Sequence, residues 1–126
     1  MKVIKTTNAP GAVGPYSQAI EIDNLVFASG QIALDPATGE MAEGIEAQAH
    51  QALKNAQAVI NASGAKWENV IKTTVFITNI DDFAKDMFSV STNIADKSMI
   101  DIMHIDLKTF DLEEQKVAIS QVIIYN

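Results

Sequence analysis

Two segments of the chain are predicted to be β-strands with apolar or hydroxyl-bearing side chains on both faces. They are Asn69–Thr78 and Val117–Tyr125, both rich in β-branched residues. A strand with one face in water has polar side chains at every second position, whereas a strand that is apolar on both faces is buried on both. A layer of helices covers only one face of a sheet. We therefore expect another subunit to cover the second face.

Strict alternation divides the side chains of each segment between two faces. In the first segment, one face is predicted to hold Ile71, Thr73, Val75 and Ile77, and the other Val70, Lys72, Thr74, Phe76 and Thr78. In the second segment, Ile119 and Ile123 are predicted to lie opposite Val122 and Ile124.

The clearest helix is predicted over Ile45–Ser63, because apolar residues recur there at three- and four-residue spacing. This apolar stripe consists of Ile45, Ala49, Ala52, Leu53, Ala56, Val59 and Ile60. The polar positions predicted to face water are Glu46, Gln48, Gln51, Lys54 and Gln57. Gly64 is a suitable residue to end the helix, since glycine adopts the left-handed conformation without steric penalty. A weaker second helix is predicted to begin near Asp81.

The other elements are strands. Ala19–Ile22 and Leu25–Ala28 are short apolar runs joined by Asp23-Asn24, a dipeptide typical of tight hairpins. Met99–Leu107 alternates as a further strand. This order of elements favours an α+β fold in which two helices lie on one face of a single mixed sheet.

The composition restricts the partners. The 126 residues suit a single domain, 1–126, and the absence of cysteine excludes disulfides, thiol catalysis and zinc–thiolate sites. Nine lysines, no arginine and sixteen acidic residues give a net charge of −7, which disfavours nucleic acid. No apolar run is long enough to cross a membrane, and the N-terminus lacks the apolar core of a signal peptide. We expect a cytoplasmic protein with no nucleic-acid or membrane partner.

The negative charge is concentrated in one part of the chain. Between Asn79 and Glu114, nine acidic residues stand against three lysines, a net charge of −6. Because the chain has no arginine, it cannot bind a substrate carboxylate through the planar two-point contact of a guanidinium group.

Several short motifs resemble those of the Rid family, the YjgF-type reactive intermediate deaminases. These motifs are Asn8-Ala9-Pro10, Gly14-Pro15-Tyr16-Ser17-Gln18-Ala19, Ala28-Ser29-Gly30-Gln31-Ile32, Asp35-Pro36-Ala37-Thr38-Gly39-Glu40 and Val70-Ile71-Lys72-Thr73-Thr74-Val75-Phe76. The resemblance is nearly continuous from Met1 to about Ala84 and resumes weakly over Lys116–Tyr125.

The resemblance implies a fold, an assembly and an activity. The fold would be chorismate-mutase-like, with a six-stranded mixed sheet and two helices on one face. The assembly would be a homotrimer with a barrel-like core and ligand clefts between subunits. The implied activity is hydrolysis of reactive enamines and imines such as 2-aminoacrylate, 2-iminopropanoate and 2-iminobutanoate. The products would be 2-oxo acids and ammonia, formed without a metal or an organic cofactor. The implied partners are therefore two further copies of the chain and small 2-imino or 2-oxo acids.

The resemblance also implies substrate-binding residues. Tyr16 matches the tyrosine of the family's Gly-Pro-Tyr motif, and Ser29, Gly30 and Gln31 match the segment whose backbone shapes the pocket. Glycine at the end of a strand allows the backbone to approach a ligand closely. We expect no metal site.

Two parts of the family pattern have no match here, so the catalytic residues are open. In place of the family arginine stands either Lys97 or His104, depending on the alignment. Ala118 stands where a glutamate is expected, with Ser120 nearby as a weak candidate. The departure lies between about residues 85 and 115 and indicates either a specialised site or an error of reading frame.

Three functions follow as hypotheses. The first is an active imine deaminase of the Rid type. The second is a catalytically inactive trimer of the same fold that binds small carboxylate metabolites as a regulator, which the missing arginine favours. The third is the endoribonuclease or translation inhibitor by which older members of the family are labelled. The net charge of −7 and the lack of arginine disfavour the third.

Overall fold

The computed structural model describes residues 1–79, the backbone of 104–109, and residues 117–125, with side chains in the last range described at 119 and 122–125. Its regular elements are β1 Lys2–Ile4, β2 Ala19–Ile22, β3 Leu25–Ala28, β4 Gln31–Ile32, α1 Ile45–Ala62, a 3₁₀ turn Trp67–Asn69, β5 Val70–Ile77, β6 His104–Thr109 and β7 Val117–Tyr125. The second helix predicted near Asp81 lies outside the described residues, as does the part of the predicted strand Met99–Leu107 that precedes β6.

The described strands form one mixed sheet. Their order is β1–β2–β3–β7–β5–β6, and β4 pairs with β7 further along that strand. β5 and β6 run parallel, whereas the other pairs are antiparallel. The α+β class is confirmed, but the described sheet has seven strands where six are predicted. The five strands predicted by residue range omit β1 and β4, whose three and two residues are too few to show an alternation in the sequence.

The hairpin of β2 and β3 forms where the sequence predicts it. Ala19 pairs with Ala28 and Ile22 with Leu25, which leaves a two-residue loop. Asp23 in that loop has a φ of 53°, a left-handed conformation that aspartate tolerates better than most residues. The predicted left-handed end of α1 is also present, since Gly64 has a φ of 85° and its N–H donates to the Asn61 carbonyl at 3.0 Å.

The predicted apolar stripe of α1 packs against the sheet. Its buried members are Ala49, Ala52, Leu53, Ala56, Val59 and Ile60, while Ile45 is partly buried against the same cluster. These side chains share one core with Val26, Val122 and Ile124 of the central strands. Burial of this stripe is the main reason that α1 is stable, because helix propensity alone contributes little.

Two polar residues of α1 are buried: Gln48, for which the prediction that it faces water is wrong, and Asn55, for which the sequence makes no such prediction. Gln48 is 1% exposed and Asn55 is 0% exposed. The Asn55 side-chain amide donates to the carbonyls of Ile32 at 2.9 Å and Leu34 at 2.8 Å, and its oxygen accepts from Gln51 at 2.9 Å. Helical periodicity could not reveal this role, since Asn55 serves a backbone segment more than twenty residues away. These bonds hold the end of β4 against the helix.

A bulge changes the predicted alternation at the start of β5. Val70 pairs with Ile124 and Lys72 pairs with Ile123, so Ile71 is an extra residue between them. Val70 is consequently buried on the helix side at 1% exposure, while Ile71 is 40% exposed. The prediction that Ile71 shares a face with the buried Thr73 is therefore wrong, and so is the prediction that Val70 shares a face with Lys72.

A second irregularity lies on β7. Thr73 pairs with Val122 but Thr74 pairs with Ser120, which leaves Gln121 as the extra residue. Ile119 therefore joins Val122 and Ile124 in the core under α1. The prediction that Ile119 lies opposite Val122 is wrong for this reason.

The other face of the sheet, opposite α1, is apolar as well, and we call it the open face. Cross-strand pairing places Val3, Ile20, Phe27 and Ile123 in one row across four strands. Val3 and Phe27 are 45% and 44% exposed, and Ile20 and Ile123 are half-buried. Apolar side chains on both faces are confirmed for the described centre of the sheet.

Candidate functional site

A cavity of about 420 Å³ lies on the open face where β2, β3 and β7 meet. Its floor is apolar, and two serines and a tyrosine bring hydroxyl groups to its rim. The lining residues are Pro15, Tyr16, Ser17, Ile20, Phe27, Ala28, Ser29, Val122 and Ile123. An apolar pocket with a few polar groups is the usual form of a small-molecule site, so this cavity is the candidate site.

One wall of the cavity is the loop between β1 and β2, and Gln18 holds that loop in place. Gln18 is 4% exposed. Its side-chain oxygen accepts from the Thr6 N–H at 2.7 Å, and its amide donates to the carbonyls of Thr6 at 3.0 Å and Pro10 at 2.9 Å. A third carbonyl, that of Ala9, lies at 3.4 Å. The loop is therefore a fixed wall.

Tyr16 reaches the rim from a sharp turn in this loop. Gly14 has a φ of 126°, which favours glycine, and its carbonyl accepts from the Tyr16 N–H at 2.9 Å. The Tyr16 side chain is 50% exposed, and its hydroxyl oxygen accepts from the Val13 N–H at 3.4 Å. A phenol that only accepts in this contact still has its own hydrogen to donate to a bound molecule.

Ser29 stands across the cavity at the end of β3. Its hydroxyl donates to the Ser17 carbonyl at 2.5 Å, and its N–H donates to the Gln18 carbonyl at 2.9 Å. The hydroxyl hydrogen is thus used within the chain, while the oxygen keeps lone pairs with which it can accept from a ligand. These two bonds also tie the start of β2 to the end of β3.

The other two predicted substrate-binding residues lie next to the cavity. Gly30 follows Ser29 and is exposed. Gln31 is 5% exposed, and its backbone pairs with Ile119 in the sheet. The structure therefore brings Tyr16 and Ser29 together at one cavity, with Gly30 and Gln31 continuing the chain from its edge.

The structure describes the predicted catalytic candidates only in part, as backbone positions or not at all. Lys97 lies outside the described residues. His104 is the first residue of β6, and its backbone is in register with Lys72 of β5. Ser120 lies on β7, in register with Thr74. Both backbone positions are therefore on strands that flank β5.

A larger cavity of about 740 Å³ adjoins the same loop and shares Tyr16 and Ser17 with the first. Its other lining residues are Lys5, Thr6, Thr7, Gly11, Ala12, Gly14 and Gln18. It lacks the apolar strand floor of the smaller cavity. Gln18 is the buried polar side chain on its wall, and its amide group is already bonded to the loop.

Sequence reasoning missed the apolar floor of the candidate site. Ile20, Phe27 and Ile123 line the cavity from three neighbouring strands. The signal available in the sequence is the alternation within each strand. It puts Ile20 on one of the two faces of β2 and Phe27 on one of the two faces of β3. Only the pairing register shows that these faces coincide.

The described residues contain no group of three or more His, Cys, Asp or Glu side chains arranged to hold a metal ion. Among the same residues, no helix has both the length and the apolar character that a membrane crossing requires.

The structure thus shows an α+β domain with one helix-covered face and a small hydroxyl-rimmed cavity on its other face. The family model described as Endoribonuclease L-PSP matches residues 6–118. The chain belongs to this family, the YjgF or Rid family, and the resemblance seen in its motifs is thereby confirmed.

Individual relatives agree with this membership. The 2-iminobutanoate/2-iminopropanoate deaminase of Salmonella typhimurium is 48% identical over 83 residues, which cover 66% of this chain and 65% of that protein. The matched part thus spans just under two thirds of that relative's length. The crystal structure of Escherichia coli TdcF with bound serine matches this chain with a TM-score of 0.89. The two sequences are 34% identical, and the match covers 100% of this chain and 99% of the TdcF chain.

The YjgF gene product of Escherichia coli gives a similar structural match. Its sequence is 31% identical to this chain. The structural match covers 100% of this chain and 99% of the YjgF chain, with a TM-score of 0.86. The sequence match to the deaminase therefore stops well short of the full length, whereas the fold match spans the whole chain.

Proposed function

We propose that this protein, as a single domain of residues 1–126, hydrolyses small 2-imino acids such as 2-iminobutanoate and 2-iminopropanoate. The observation that supports this most is the cavity that holds Tyr16 and Ser29 on an apolar floor. A deaminase of these two compounds is 48% identical over 83 residues. Serine, a small α-amino acid, binds to the similarly folded TdcF.

The reaction adds water across a carbon–nitrogen double bond. The protonated imine R–C(=NH₂⁺)–COO⁻ and water give the 2-oxo acid R–CO–COO⁻ and NH₄⁺, so atoms and charge balance without an oxidant. The new bond joins the water oxygen to the imine carbon, and the bond that breaks joins that carbon to nitrogen. The protein's task is therefore to orient the substrate and the water.

The cavity residues suit this task. Phe27 and Ile123 provide an apolar surface for the short alkyl group of the substrate. The Tyr16 hydroxyl donates a hydrogen bond to the substrate or to the water that attacks it. The Ser29 oxygen accepts from the substrate nitrogen, since its own hydrogen is bonded to the Ser17 carbonyl.

The assembly belongs to the proposal as well. Two further copies of the chain cover the open face, so that a homotrimer with a barrel-like core encloses the cavity between subunits. The exposed apolar row of Val3, Ile20, Phe27 and Ile123 supports this, because exposed apolar surface of this extent is typical of interfaces.

A second function is a binder of small carboxylates without catalysis. The absence of arginine favours it, since a charge-assisted bidentate contact is among the strongest that a protein makes to a carboxylate. Such a protein binds 2-oxobutanoate but releases no ammonia from imines, which separates the two functions.

The test is ammonia release from 2-aminoacrylate generated in the assay by a dehydratase acting on serine. The wild-type protein should release ammonia faster than buffer alone. Tyr16→Phe should slow this release, because it removes the phenolic hydrogen-bond donor. The matched control is Tyr125→Phe, since Tyr125 is also exposed but does not line the cavity. A wild-type rate equal to that of buffer would contradict the deaminase function.

A further inference from the structure

An anionic substrate at the candidate site has a limited choice of cationic partners in this chain. There is no arginine, so a side chain that carries a positive charge throughout the neutral pH range is a lysine. Five lysines lie among the residues with described side chains: Lys2, Lys5, Lys54, Lys66 and Lys72. Lys54 is on α1, on the far side of the sheet, and Lys5 lines the larger cavity.

Lys72 is the lysine that strand register brings next to the cavity floor. Its partner on β7 is Ile123, and the partner of Ile123 on β3 is Phe27. Both of these residues line the cavity. Directly opposed residues project from the same face of a sheet, and neighbouring strands are about 4.8 Å apart. The flexible four-carbon stem of lysine is long enough to cross one such spacing.

The bulge at Ile71 determines that Lys72 lies on the open face. Val70 is buried on the helix side at 1% exposure. In an unbroken strand the residue two positions later projects from the same side, which would turn Lys72 toward the core. The extra residue shifts the alternation, and Lys72 is exposed. Bulges that redirect a side chain are frequent beside active sites.

The surroundings of Lys72 favour an anionic ligand. No ion pair joins Lys72 to an acidic residue within the part of the chain that the structure describes. Its partner on β7, Ile123, and its chain neighbour Ile71 are both apolar, and its partner in register on β6 is His104. A cation beside apolar surface attracts an anion more strongly than a fully hydrated one does, because the effective dielectric constant is lower there.

We propose that Lys72 is the binding residue that holds the carboxylate of a 2-imino or 2-oxo acid seated in the cavity. The inference rests on the proposed function for its ligand class. The alkyl group lies against Phe27 and Ile123, and the carboxylate points along the row toward β5. Lys72 contributes a point charge, so it tolerates a range of carboxylate orientations that a guanidinium fork would restrict.

The experiment measures the affinity for 2-oxobutanoate, a stable product analogue, and for its uncharged amide by calorimetry. The wild-type protein should bind the acid more tightly than the amide. Lys72→Gln should weaken binding of the acid by about tenfold or more and leave the amide unchanged, because a charge-assisted bond is lost. Lys72→Arg should restore most of the affinity. The control is Lys54→Gln, which removes the same charge from the helix.

The outcomes separate this inference from the deaminase function. If the wild-type protein binds 2-oxobutanoate through Lys72 but releases no ammonia, the carboxylate site stands and the deaminase function fails. If ammonia is released and Lys72→Gln keeps the affinity for the acid, the function stands and the inference is overturned. If the wild-type protein binds neither compound, the inference is overturned as well.

Discussion

The two faces of the central sheet differ in exposure and hardly at all in apolar character. Val26 and Phe27 are neighbours on β3, yet Val26 is 0% exposed and Phe27 is 44% exposed. On β7, Ile124 is fully buried under α1, while Ile123 lies half-buried on the open face. On the helix-covered face, α1 completes a buried hydrophobic core. The open face has a similar apolar composition, but it is partly exposed in the single chain, and the candidate site lies on it.

The difference shows why the site belongs on the open face. A packed core leaves no room for a ligand, because side chains there fill space to crystal density. The open face combines apolar floor, hydroxyl groups and, one strand away, a lysine. A second layer laid over such a face leaves clefts at its rim, where a small polar molecule can contact both layers.

The largest expected effect tests the helix-covered face. Ile60→Ala removes a side chain that is 0% exposed at the centre of the core, and we expect a loss of about 2–5 kcal/mol in the free energy of unfolding, measured by urea denaturation. Lys54→Ala on the exposed side of the same helix is the control, with a change within about 0.5 kcal/mol. Equal effects of the two changes would show that α1 does not pack on this sheet.

Much of this face follows from sequence alone, and the reason is local. The bounds of β2, β3 and β7 and the stripe of α1 depend on periodicity within one segment. The bulges at Ile71 and Gln121 cannot be read from one segment, since each is defined only by pairing with a strand some fifty residues away. An extra residue reverses the side chains before it relative to those after it, and for this reason the faces predicted for Val70, Ile71 and Ile119 are wrong.

The candidate site shows the same division. Tyr16, Ser29, Gly30 and Gln31 are predicted as site residues because they lie in short continuous motifs that resemble those of a family. Lys72 lies inside one of those motifs, but its place beside the cavity depends on the register of β5, β7 and β3. Residues that join a site through strand pairing have no signature in a single segment.

The next effect tests the junction between the helix and the rim of the open face. Asn55→Ala removes the two hydrogen bonds to the carbonyls of Ile32 and Leu34 and the bond accepted from Gln51. We expect a loss of about 1–3 kcal/mol in the free energy of unfolding. Asn61→Ala, at an exposed position of the same helix, is the matched control and should change little. An equally small effect at Asn55 would mean that β4 is held without the helix.

The smallest predicted effect is an increase in the free energy of unfolding, whereas the two effects above are decreases. The Thr73 hydroxyl is buried on the helix-covered face and has no hydrogen-bond partner among the described residues. Thr73→Val removes that unpaired polar group, so we expect a gain of about 1 kcal/mol in the free energy of unfolding. Thr7→Val in the exposed loop is the control. A clear loss of stability at Thr73 would show that the hydroxyl is bonded in solution.

The claim on which the account depends is that copies of this chain cover the open face. Light scattering coupled to size exclusion at micromolar concentration measures this directly. We predict a mass three times that of one chain for the wild-type protein, and a lower mass for Phe27→Asp, which places a charge on the open face. A wild-type protein that is folded and has the mass of one chain would contradict the account.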